Sequence, residues 1–154
     1  MPESPYTGPQ DPSGQKLAAR LSAVGHALGE REAPHHESLD AARRHIEALR
    51  SHVEIALEAF HQASSRAGAP HLRVELGDVR IDDKHLRSVE FELLRGRQKA
   101  VVTAKSHGDV TLVGPFRVGK AEKPCLTFPA DAGCKFDEAF IKFLEKFLEG
   151  AATP

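Results

Sequence analysis

The sequence has 154 residues, 40% of them apolar and 28% charged, with 21 Lys and Arg against 22 Asp and Glu for a formal charge of -1. That length suits one domain, and the balanced charge excludes a histone-like or tail-driven nucleic-acid binder. No apolar run exceeds three residues, so nothing is long enough to span a bilayer or to form the core of a signal peptide, and the chain reads as soluble and cytoplasmic.

Residues 1–14 hold four Pro, two Gly and two Ser with no Leu, Ile, Val or Phe, and are expected to be a disordered tail, because they bury too little to offset the entropy of ordering. From Gln15 to Glu32, Leu17, Leu21, Val24 and Leu28 recur at steps of four, three and four on one helical face. Gly25 and Gly29 weaken that helix by roughly 1 kcal/mol each relative to Ala, and so short a helix is marginal alone. Pro34 is expected to end it, leaving residues 15–34 as a weak amphipathic helix and linker.

Residues 35–150 are expected to form a single α+β domain, with 151–154 a disordered end. Its first element is a long helix carrying Leu39, Ala42, Ile46, Leu49, Val53, Ala56, Phe60 and Ala63 at alternating steps of three and four, with Ser38 as N-cap and Gly68-Ala69-Pro70 as the stop. Such a stripe is either the core face of an amphipathic helix or an inter-chain seam; globular helices show the same steps.

After Pro70 the period falls to two. Leu72, Val74 and Leu76, then Val79 and Ile81, then Val89, Phe91 and Leu93 alternate with polar residues, followed by short strands over 99–105, 109–113, 116–118 and 125–128. Turn residues at Asp82-Asp83, Gly96, Gly108, Gly114-Pro115 and Gly119 separate them, so an antiparallel meander of about five strands is expected. From Lys135 to Glu149, Phe136, Ala139, Phe140, Phe143, Leu144 and Phe147 mark an amphipathic helix that packs on the sheet, with Gly150 placed as its C-cap.

Candidate chemistry is sparse. Nine histidines show no metal-ligand spacing: His45 and His52 are roughly 10 Å apart along the helix, and adjacent His35 and His36 point apart. No metal or other cofactor is expected. Cys134, beside Lys135 at a helix start, is the best nucleophile, with a small buried residue as the plainer reading and no base, His85 and His107 included, that spacing selects. Serine-hydrolase and phosphate-loop motifs are absent, and Asp82-Asp83 reads as turn chemistry, so no catalytic residue is assigned. Residues 71–128 carry eleven Lys and Arg against eight Asp and Glu, and Arg95, Arg97 and Lys99 cluster at a hairpin tip as candidate anion contacts.

The favoured function is a non-catalytic protein-interaction module, an adaptor or assembly subunit whose helical N-terminal half binds a protein partner or a second copy through Leu17, Leu21, Leu39, Ile46, Leu49, Val53 and Phe60. A homo-oligomer is expected, with no membrane partner. A small-molecule or enzymatic pocket between sheet and helix is the alternative. Nucleic-acid contact through the basic hairpin ranks last, because the strands lack aromatics for base stacking.

Overall fold

The computed structural model describes residues 12–82 and 87–153, apart from the side chains of residues 35 and 36. The expected tail lies outside the described residues through residue 11, as do Asp83 of the expected turn, His85 and the side chains of His35 and His36. The elements run in the order α1 (Pro12–Arg66), β1 (Glu75–Leu76), β2 (Arg80–Asp82), β3 (Ser88–Arg95), β4 (Gln98–Lys105), β5 (Val110–Arg117), β6 (Cys125–Phe128) and α2 (Cys134–Ala152). The fold is α+β: a long N-terminal helix, an antiparallel sheet, and a C-terminal helix against the sheet. The described residues divide into two compact units, with the boundary between residues 37 and 38.

Two helices separated at Pro34 are expected, but α1 is one helix of 55 residues with Pro34 inside it. A mid-helix proline removes one backbone hydrogen bond and costs about 3 kcal/mol. Strong helix formers flank it, from Glu30 to Ala33 before and from Leu39 to Arg50 after, and the ladder resumes. Pro12 occupies the first helical position, where its missing N–H is no loss.

In residues 38–154 the core holds Ala42, Ile46, Val53 and Leu57 of α1, the inward residues Val89, Phe91, Leu93, Ala100, Val102, Ala104, Val110 and Leu112 of the sheet, and Phe140, Phe143, Phe147 and Ala151 of α2. The sheet order is β1-β3-β4-β5-β6, with β2 also on β3. Phe91 pairs across with Val102, and Val102 with Leu112, so one apolar row crosses three strands. On the opposite face Glu92 binds Lys99 at 2.9 Å and Arg80 at 3.2 Å. The Lys99 hydrogen bond comes first in holding the Glu92 carboxyl below the usual carboxylate range, and Arg80 adds to it against the opposing effect of burial.

The expected strands 109–113 and 116–118 are one strand, β5. Gly114 does not turn the chain but sits at a bulge opposite Lys99 and Val101, with φ at 104°. A methyl there would lie 3.0 Å from the Lys99 carbonyl oxygen, so glycine is required by both conformation and space. Gly150 is not a C-cap either. It lies within the last turn of α2, which Thr153 caps, and an added methyl would collide with the amide of buried Gln98.

The basic hairpin has structural duties. Arg95 donates to the Ala151 carbonyl and Arg117 to the Thr153 carbonyl at 2.7 Å, so two cations hold the C-terminal end of α2, where the helix dipole is negative. Arg50 does similar work for α1, donating from Nε to the Gly77 carbonyl at 2.7 Å and so fixing the β1–β2 connection to the helix.

Candidate interaction surface

Within residues 38–66 the helix buries Ala42, Ile46, Val53, Leu57 and His61, and half-buries Leu39, Leu49 and Phe60 against the core. The expected seam turns at Ala56 and Ala63, but both are exposed and Leu57 and His61 take their place. A stripe that shifts in this way follows the 3.6-residue period of a straight helix lying on a sheet, whereas an inter-chain coiled coil holds 3.5. Of the seven expected partner contacts, Leu39, Ile46, Leu49, Val53 and Phe60 thus belong to the chain's own core. Ile46 is 0% exposed and Val53 1%.

The remaining two, Leu17 and Leu21, stand exposed at 60% each, and Val24 and Leu28 continue the same face at 53% and 44%. The four span about 16 Å along the helix at its standard rise. Small residues surround them: Ala18, Ala19, Ser22, Ala23, Gly25, Ala27 and Gly29. A methyl group added at Gly25 or Gly29 would meet nothing within 4 Å. The polar side of this stretch carries a His26–Glu30 pair at 3.0 Å.

Among the described residues of 38–154, three depressions stand out. The first, of about 270 Å³, is lined by Ser38, Ala42 and His45 of α1 and by Lys105, Ser106 and His107 at the β4–β5 turn. His107 pairs with Asp109 at 3.2 Å, both well exposed. No sequence spacing links His45 to His107. Only the packing of α1 on the sheet brings them to one cleft.

The second, about 290 Å³, lies at the C-terminal end of α1 among Glu58, His61, Gln62, Ser65, Arg66 and Arg73. Here His61 Nε2 accepts a hydrogen bond from the Val74 N–H at 3.0 Å. Burial, with Arg73 adding and Glu58 opposing, holds this imidazole below its ordinary pKa, so it is a neutral acceptor that ties the helix to the following strand. Sequence reading missed it, since a histidine on an apolar stripe carries no signal that separates it from a solvated one.

The third is a groove of about 820 Å³ between the β5–β6 edge and α2, with Pro115, Leu126, Ala139 and Phe143 along it and Lys142 and Lys146 at its side.

Both cysteines are exposed and free, so Cys134 is not the small buried residue of the plainer reading. Among the described residues no group of three His, Cys, Asp or Glu is placed to hold a metal ion, and no helix is long and apolar enough to cross a membrane. Of the anion candidates, Arg95 is bound to α2 and Lys99 to Glu92, while Arg97 is exposed at the turn. Compared with known proteins, the chain matches no family model, no curated protein and no solved structure.

Proposed function

We propose that this protein is a non-catalytic, cytoplasmic interaction module that associates with another protein chain through the helix face of residues 12–37. The observation that carries the reading is the row Leu17, Leu21, Val24 and Leu28, four large apolar side chains left 44–60% exposed on one face. Contiguous apolar surface of this kind marks a contact site, whereas singly scattered apolar residues need no explanation. Glycines at 25 and 29 make the stretch a poor helix by itself, so a partner's contact stabilises it.

Light scattering combined with amide hydrogen exchange tests this. The expected result is either association of the chain, with residues 12–37 protected, or a single chain in which those amides exchange freely. A single chain with residues 12–37 fully protected would refute the reading, because the helix would then need no partner.

A second reading, small-molecule binding, draws support from the groove between β6 and α2, whose volume falls in the range of ligand sites. A ligand that raises the melting temperature of the native chain but not of Leu126→Lys would favour it.

A further inference from the structure

The charges along residues 12–37 run in one direction. Lys16 and Arg20 are the only formally charged residues from 12 to 24, a net of +2, whereas 25–37 carry Glu30, Glu32 and Glu37 against Arg31, a net of -2. A single helix is stabilised by acids in its first turn, and α1 has none there. The order is therefore not explained by the helix's own dipole. A second identical helix laid antiparallel sets each positive half against a negative half. A parallel pair in register sets like against like.

Resting on the interaction reading above, we propose that residues 12–37 of two copies pair antiparallel, so that the occupant of the apolar face is the same segment of a second copy. The spacing of the stripe supplies the register. With a two-fold axis between positions 21 and 24, Leu17 lies against Leu28 of the second copy and Leu21 against Val24, giving four apolar layers, and residues 12–24, with a net charge of +2, face residues 21–33 of the second copy, with a net of -1. Ala18 and Gly25, seven residues apart, fall on one flank of this seam, and Ala27 lies on the other. Their small size lets the two backbones approach closely. The chain itself gains nothing from glycine at 25, since a methyl there meets open space.

Four measurements on the full chain decide the matter. Light scattering is expected to show a concentration-dependent rise to twice the mass of one chain, and Leu21→Glu is expected to raise the dissociation constant by more than about a hundredfold while the circular dichroism of the sheet is unchanged. Raising salt is expected to weaken the pair, because opposite charges attract across it; a parallel pair would instead strengthen.

For orientation, Leu17→Cys and Leu28→Cys chains, each in a Cys125→Ser, Cys134→Ser background, are mixed and treated with a short thiol crosslinker. The antiparallel pair gives the mixed product, since like positions are about 16 Å apart. Crosslinking of like with like, or strengthening by salt, overturns the orientation and with it the proposal. A chain that stays single at all concentrations also overturns it. In that case free exchange at 12–37 leaves the broader interaction reading standing with a different protein, and protection at 12–37 removes both.

Discussion

Ile46 and Leu21 lie on the same helix and carry side chains of equal size, but only one is part of a core. Ile46 is 0% exposed in the core that also holds Phe91 and Val102, whereas Leu21 is 60% exposed. Replacing Ile46 by Ala removes three carbon atoms' worth of buried surface, about 2.4 kcal/mol at roughly 0.8 kcal/mol per methylene, and leaves a cavity that the strands beneath close only in part. The total is about 3–4 kcal/mol, a large share of the stability of a domain of this size. At roughly 3–5 °C per kcal/mol the melting temperature falls by about 9–20 °C. Leu21→Ala, measured at high dilution, is expected to change the unfolding free energy by under about 0.5 kcal/mol, because alanine is the better helix former and little burial is lost. Guanidinium unfolding followed by circular dichroism compares the two. A loss under about 1 kcal/mol at Ile46, or an equal loss at both positions, would refute the assignment of residues 38–60 to the chain's own core.

Three other outcomes follow from named contacts. His61 is held below its ordinary pKa in the folded chain, so the unfolded chain binds more protons near that value. Stability is therefore full above about pH 6.5 and declines as pH falls through the interval down to the folded pKa; His61→Gln, whose carbonyl accepts the Val74 N–H at any pH, is expected to flatten that slope in urea titrations at pH 7 and 5. Glu92 is depressed too, which for a carboxylate means a contribution present above about pH 4.5 and lost as pH falls through the folded value; Glu92→Gln is expected to cost about 1 kcal/mol at pH 7 and little at pH 3. Gly150→Ala, which helix propensity alone would favour by about 1 kcal/mol, is expected to gain less than that in calorimetry, because the methyl must first turn aside the Gln98 amide at the end of its side chain.

Element types were readable because local period and tertiary role coincide over most of the chain. Val89, Phe91 and Leu93 alternate with glutamates and face the core as their period requires, and the phenylalanines of α2 lie on one stripe for the same reason. The readings that differ turn on residues whose usual role was overruled by neighbours. Pro34 does not stop a helix that strong formers extend on both sides, Gly114 is a bulge within β5 rather than a turn between strands, and Gly150 is small because Gln98 approaches it rather than because the helix ends there. The last two depend on contacts from residues far away in sequence, which no local window contains.

At the proposed interaction surface, period and role part company. The run from Leu39 to Phe60 gave the stronger periodic signal, yet strength of periodicity measures only how consistently a face is buried and not by what. The sheet covers that face, so its regularity carries no information about a partner. The weaker stripe, broken by two glycines, is the one left uncovered. In a helix covered by its own chain, a glycine without a close neighbour is a defect. Gly25 and Gly29 have no close neighbour, and Leu17, Leu21, Val24 and Leu28 beside them remain exposed. What distinguishes the proposed contact site from the core face is thus the conjunction of poor intrinsic helix propensity with unburied leucine, and the first of these was already visible in the sequence as a weakness.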